Sequence, residues 1–348
     1  MAVSVAVVGL GYWGPNLART FARLPRANLR VLCDANPARL AGTARDYPGV
    51  QATPDYNQVI GDSSIDAVVL ATPAGTHYDL ALAALQAGKH VLVEKPLAKT
   101  VAQAEVLIRV AKMHQRVLMV GHVFLYNPGV RKVKELIDSG ALGRIYYIYA
   151  QRLNLGIIRQ DVNALWNFAP HDISVINYWL GYAPLSVTAR GYAYVQPGVE
   201  DVVFLTMEYP GGIAANVHVS WLDPHKVRRM TVVGSEKMVE FDDLRTEARV
   251  VVYTKRAVMS ASVPSLEGQR GSGIENGIAT YAGDVVIPRL PVEEPLKVEC
   301  REFVESILEG KTPVSDGEEG LRVVRVLEAA EKSLRTMAPV ALRDPTQA

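Results

Sequence analysis

The 348 residues predict a doubly wound α/β domain followed by an α+β domain with an open-faced, largely antiparallel sheet. Three observations carry that expectation. From residue 3 to about 120, short β-branched runs alternate with helix-period patterns. Beyond Gly121 strand-like runs follow one another with only turn signals between them. With 49% hydrophobic residues, the chain is long enough to bury two cores without disulfide or metal staples.

In order, VSVAVV reads as the first strand, followed by a helix near Pro15 to Leu24. LRVLC leads into a helix from Pro37 to Asp46, DAVVLA into one from Thr76 to Ala87, HVLVE into one from Val101 to His114, and VLMV closes the series. Continuously apolar strands separated by helices indicate a parallel sheet covered on both faces. A helix from Pro128 to Asp138 then stops at Gly140. Strands are expected at 145–152, 186–195, 202–209, 213–221, 228–234 and 248–253, with PGG at 210–212 as a hairpin turn. The domains are therefore set at 1–120 and 121–348. Residues 255–291, rich in Ser, Gly and Pro, read as a long loop that covers a site or a subunit contact. Two helices, VECREFVESILEG and GEEGLRVVRVLEAAEKSL, end the pattern.

Composition excludes several function classes. A formal net charge of +1, with the RKVK and KVRR clusters each broken by Val, gives no electrostatic platform for nucleic acid or anionic lipid. Both clusters read as exposed faces of a helix or strand. No apolar run approaches the ~20 residues of a membrane span, and the N-terminus has no charged leader. Cys33 and Cys300 have neither zinc spacing nor a disulfide framework, so no metal site is expected and a cytoplasmic location is.

GLGYWG, residues 9–14, has G-x-G-x-x-G spacing between a strand and a helix. Gly9 permits the tight turn, Gly11 a close approach to a pyrophosphate, and Gly14 close packing of helix on strand, while the helix start attracts the anion. Tyr12 and Trp13 lie within the same turn and are counted as cofactor contacts. Asp34 ends the next strand twenty residues after Gly14, where it would accept the ribose hydroxyls and repel a 2′-phosphate. NAD is thus expected over NADP. Asp34 could instead cap the helix from Pro37. Arg39 either weakens the cofactor preference or lies over the adenine.

Further motifs carry a resemblance. ATPAGTH (71–77), EKP (94–96), GHVFLYNP (121–128) and WNFAPHD (166–172) stand in the order of the glucose-fructose oxidoreductase, inositol dehydrogenase and MocA family. The resemblance implies a Rossmann domain and an open-sheet domain, with NAD(P) and a sugar or cyclitol between them. It implies homodimers or homotetramers paired through the open sheet, and it places Thr72, Pro73 and His77 beside the cofactor. Taken by itself, His77 reads as a helix-surface histidine.

Glu94 and Lys95 follow HVLV at the carboxyl end of a parallel strand, where ligands bind in such sheets. A partly desolvated Lys95 next to the nicotinamide could assist proton movement; the alternative is a surface lysine. Oxidation of an alcohol also needs a base, and the resemblance assigns that role to His171. Pro170 suits a first helical turn, which would put His171 at the positive end of the helix dipole and keep it neutral. Asp172 would compensate the dipole or orient the ring. Relatives often carry an Asp where this chain has Asn167, which can hydrogen-bond a substrate hydroxyl but cannot ionise.

Residues 151–172 most resemble the branch that oxidises nucleotide-linked sugars, often uronates, at C3. Arg152 and Arg159 could clamp a carboxylate or diphosphate, or form structural ion pairs. Asn154 could contact a sugar hydroxyl, with Tyr126 a lesser candidate, and His122 reads as structural. The expected activity is an NAD-dependent sugar dehydrogenase. Alternatives are a keto-sugar reductase, a free sugar or inositol dehydrogenase and, from another class, a non-catalytic sensor of NAD and sugar.

Overall fold

A computed structural model of the chain describes residues 2–259, 273–275 and 278–342. They divide into two compact units.

The first unit contains β1 (Val3–Val8), α1 (Gly14–Arg23), β2 (Ala27–Cys33), α2 (Pro37–Ala44), β3 (Gln51–Thr53), α3 (Tyr56–Gly61), β4 (Ala67–Leu70), α4 (His77–Gln86), β5 (His90–Glu94), α5 (Val101–Met113) and β6 (Leu118–Gly121). Its six strands run parallel in the order β3-β2-β1-β4-β5-β6. β4 is buried at every position, as expected of a strand covered on both faces. The order reverses between β1 and β4, which opens a crevice at the carboxyl ends of those strands. β3 and α3 escape the sequence pattern because three and six residues are too short to display a period.

The second unit contains α6 (Pro128–Asp138), β7 (Ile145–Leu153), α7 (Ala164–Leu180), β8 (Ser186–Tyr192), β9 (Val202–Tyr209), β10 (Ile213–Ser220), β11 (Val227–Gly234), β12 (Met238–Asp242), β13 (Val250–Met259), β14 (Gly273–Glu275) and β15 (Ile278–Val286). Two helices follow, α8 (Pro295–Glu309) and α9 (Gly317–Thr336), and then β16 (Val340–Ala341). The ten-stranded sheet runs β14-β15-β13-β12-β11-β7-β10-β9-β8-β16, antiparallel except for the β7 and β10 pair. β9 shows why one face is open: Val203, Leu205, Met207 and Tyr209 are buried, while Phe204, Thr206 and Glu208 alternate outward. α7 packs on β7, β9 and β10 from the buried side.

Two expectations need correction. The boundary at 120 is simpler than the molecule: the first unit holds residues 1–127 and takes back 293–328, the second 128–292 and 329–348. The apolar stripe of α8, with Leu296, Cys300, Phe303 and Val304, is buried against α1 and the turn after β6, so the chain returns to its first core. The loop over 255–291 is also partly strand. β13 continues to Met259 and pairs with β15 from Lys255↔Ala282 to Met259↔Ile278, a ladder that the Ser and Gly content obscured. Residues 260–272 and 276–277 of that stretch lie outside the described residues.

Candidate active site

In the first unit the glycine turn leaves room for a phosphate. A Cβ on Gly9, whose φ is +88°, would meet the Ala71 backbone at 2.7 Å, and one on Gly14 would overlap Gly9 O. Gly11 has only Arg39 Nη1 near, at 4.0 Å, so its face is open to a ligand while the guanidinium hangs over the turn. The side chains Tyr12 and Trp13 stack at 6.5 Å, with Tyr12 almost fully exposed.

Asp34 accepts hydrogen bonds from Leu10 N at 2.6 Å and Asn36 N at 2.7 Å. It therefore ties β2 to the glycine turn and keeps lone pairs for a diol. The cap of α2 is Asn36, which accepts from Ala38 N and Arg39 N; Asp34 does not fill that role. These residues fit the adenosine diphosphate half of a dinucleotide.

His77 is buried, not a surface histidine. Its Nδ1 lies 2.7 Å from Pro96 O and its Nε2 2.9 Å from Thr72 O, so it holds the loops after β4 and β5 together. Burial draws its pKa below the ordinary value, against the two carbonyls that raise it. The Glu94 carboxyl folds over the end of β6, where a Cβ on Gly121 would strike it at 2.9 Å. Burial pushes its pKa up to about 7, although Lys95 acts to lower it. His122 is wholly buried, with burial and the Lys95 charge holding its pKa at about 3. Tyr126 is buried too, and its hydroxyl lies 3.0 Å from Ser315 Oγ. That geometry gives Tyr126 a structural role in place of the expected substrate contact.

In the second unit α7 begins six residues before Pro170, because Asn163 caps it by accepting from Trp166 N at 3.1 Å. His171 therefore lies in the body of the helix, and the expected dipole effect on its charge does not apply, since that effect fades beyond the first turn. Pro170 instead removes the donor that would serve Trp166 O. The half-buried residues Asn167, Phe168 and His171 share one face at spacings of one, three and four.

Arg152 and Arg159 are both held by carboxylates. Arg152 donates Nε and Nη2 to the two oxygens of Asp172 at 2.8 and 2.9 Å, deep in the unit, so Asp172 serves that arginine and not the dipole. Arg159 binds the neighbouring Asp161 at 2.8 and 2.6 Å on the exposed surface. Asn154 accepts from Arg228 through Oδ1. The sequence conceals Arg228 because KVRR reads as an exposed cluster. Its parity was the available signal: Arg228 shares a face of β11 with buried Met230 and Val232.

Among the described residues no helix is long and apolar enough to cross a membrane. A family model described as an oxidoreductase family with an NAD-binding Rossmann fold matches residues 3–122, and a GFO/IDH/MocA C-terminal domain model matches residues 130–240. Inositol 2-dehydrogenase 2 of Saccharopolyspora erythraea is 31% identical over 63% of this chain and 67% of its own. UDP-N-acetylglucosamine 3-dehydrogenase of Acidithiobacillus ferrooxidans is 26% identical over 91% of this chain and 93% of its own. GenD2 from gentamicin A biosynthesis, solved in complex with NAD, is 25% identical, with a TM-score of 0.81 over 99% of this chain and 97% of its own. Matches on both sides of residue 127 therefore agree with the glycine turn and Asp34: the chain belongs to the GFO/IDH/MocA family and is an NAD-binding oxidoreductase of the sugar and polyol type, acting on CH–OH groups.

Proposed function

We propose that the protein is an NAD-dependent dehydrogenase that oxidises a hydroxyl at C3 of a UDP-linked sugar or uronate to a ketone. The observation that carries the proposal is the half-exposed face of α7, where Asn167, Phe168 and His171 stand together above the buried Arg152–Asp172 pair. A stacking ring, an amide and an imidazole on one rigid helix suit a sugar ring and its hydroxyls. Bound NAD supplies the acceptor for the hydride that leaves the carbinol carbon. The hydroxyl proton goes to His171, and Asn167 orients a neighbouring hydroxyl. Lys95, at the end of β5, assists the proton transfer. Arg39 and Asp34 serve the adenosine, Thr72 and Pro73 the nicotinamide end, with His77 bracing their loop from behind.

Likeness to the UDP-N-acetylglucosamine 3-dehydrogenase supports a nucleotide sugar. Likeness to the inositol 2-dehydrogenase keeps a second reading, oxidation of a free cyclitol or sugar. We further assign homodimers or homotetramers paired through the open sheet, and a cytoplasmic location on the strength of two buried cysteines that carry no disulfide.

The test is reduction of NAD, followed at 340 nm, with UDP-sugars, UDP-uronates, free sugars and inositols. Turnover confined to inositols would transfer the assignment to the second reading. Turnover only of keto-sugars with NADH would make the protein a reductase. His171→Ala is expected to lower kcat by about 10²- to 10⁴-fold, the usual contribution of a general base, with sugar binding retained. Binding of NAD and sugar by the natural protein with no turnover of any probe would favour the sensor.

A further inference from the structure

Adjacent arginines on β11 have opposite surroundings. Arg229 faces the open side, donating to Gln151 Oε1 at 3.0 Å with Glu240 at 3.8 Å. Arg228 faces α7. It stands directly across the ladder from Arg152, whose charge is already matched by the two bonds to Asp172. Among the described residues Arg228 makes no ion pair within 4.0 Å; the carboxylates of Asp172 and Asp243 offset the two arginine charges only from a distance or, for Asp172, while bound to Arg152.

The Arg228 guanidinium is nonetheless fixed. Its Nη1 donates to Leu153 O at 2.8 Å and Val227 O at 2.7 Å, and its Nη2 to Asn154 Oδ1. Its Cζ sits 5.1 Å from the centre of the Phe168 ring, one turn before His171 on α7. Of five N–H donors these bonds use three. The Nε–H and one Nη2–H have no protein acceptor among the described residues. Burial and the neighbouring Arg152 draw its pKa down to about 10, against Asp172 and Asp243, which raise it, and a bound anion would add to their effect.

We propose that Arg228 recognises an anionic substituent of the substrate, a carboxylate or a phosphoryl group, through these two remaining donors, and so selects acidic or nucleotide-linked sugars. The assignment rests on the sugar dehydrogenase reading above. Asn154 and Phe168 act as positioning residues: one spends its amide oxygen on the guanidinium, the other supports it from α7. Arg159, bound to its own Asp161 on the surface, is not needed for this recognition.

The test measures equilibrium binding by calorimetry to the NADH-loaded protein, so that no turnover intervenes. The probes are glucose, glucuronate, UDP-N-acetylglucosamine and UDP-N-acetylglucosaminuronate. Arg228→Met is expected to weaken the anionic probes by about 10- to 100-fold and glucose less than twofold, as for loss of charged hydrogen bonds. Loss confined to the two uronates identifies a carboxylate as the ligand; equal loss for both UDP-sugars, with free glucuronate unaffected, identifies the diphosphate. Equal effects on neutral and anionic probes, or none, would overturn the assignment. If Arg228→Met does not fold, Arg228→Lys decides by the same criterion, since it keeps the charge but loses the planar fork. Should the natural protein bind glucose and glucuronate alike and both UDP-sugars alike, with Arg228→Met unchanged, only the anion assignment fails. If it binds none of the probes, the sugar reading itself fails.

Discussion

At the scale of single residues, the first unit buries titratable groups whose effects on stability oppose each other with pH. Glu299 is fully buried, both its oxygens are without partners among the described residues, and burial together with Glu94 raises its pKa well above the ordinary value. A carboxyl whose pKa is higher folded than unfolded stabilises the fold at low pH, and that contribution is lost as pH rises through the folded value. Glu94, raised to about 7, has the same sign. His122 has the reverse: it titrates at about 3 folded against 6.5 unfolded, so stability falls as pH drops through that window, by about 1.4 kcal/mol per pH unit for one group. Urea midpoints measured from pH 4 to 8 should therefore separate two variants. Glu299→Gln should flatten the loss above pH 5, and His122→Asn should flatten the loss below pH 6. Unchanged pH curves in both would show that neither group titrates differently in the folded state. None of this was legible beforehand, because a lone His or Glu in a sequence does not reveal its burial; the sequence pointed only to His122 being structural.

At the scale of elements, what could be read depended on whether a local signal competed with another. The glycine turn, the strand before it and the helix after it were legible because Gly9 and Gly14 have no alternative: a Cβ at either would overlap backbone. The start of α7 is not legible, because Pro170 is a strong helix-start signal and Asn163 a weaker one, yet the cap lies at Asn163 and the proline is absorbed inside. Arg228 was missed for a similar reason, since charge outweighed the period-2 pattern that sets it among buried neighbours. The cap has a measurable consequence. Asn163 accepts from Trp166 N and donates to Glu200 Oε2 at 2.8 Å, so Asn163→Ala should cost about 1–2 kcal/mol of unfolding free energy, with Asn163→Ser restoring part of it. Because α7 carries Asn167, Phe168 and His171, the same substitution should raise KM for the sugar more than it raises KM for NAD. An unaltered denaturation midpoint would mean that α7 begins elsewhere.

At the scale of the whole molecule, the longer strands and helices were legible in order, since parallel strands buried on both faces and antiparallel strands buried on one have different apolar periods, whereas the short β3, α3, β12, β14 and β16, and β15 within its Gly-containing stretch, were not. The return of α8 to the first unit was not, because an amphipathic helix declares that it has an apolar face but not which core receives it. The open face of the ten-stranded sheet poses the same problem between molecules. Phe204 stands outward, 41% exposed, with its ring stacked on His218 at 4.3 Å, and Tyr147 is 45% exposed on β7, stacked on Tyr149 at 6.3 Å. Aromatic side chains aligned on an exposed sheet face are what a pairing surface between copies requires, and these rings stay exposed among the described residues. If copies pair there, a charge at the centre of the patch must be desolvated at each copy of the interface, twice over in a two-fold pair. Phe204→Glu should then convert a dimer or tetramer into monomers by light scattering. The variant should fold normally, because Phe204 contributes nothing to the buried side of β9, and NAD binding in the first unit should persist. A natural protein that is already monomeric at the same concentration, or a variant whose mass is unchanged, would remove the open sheet as the assembly surface.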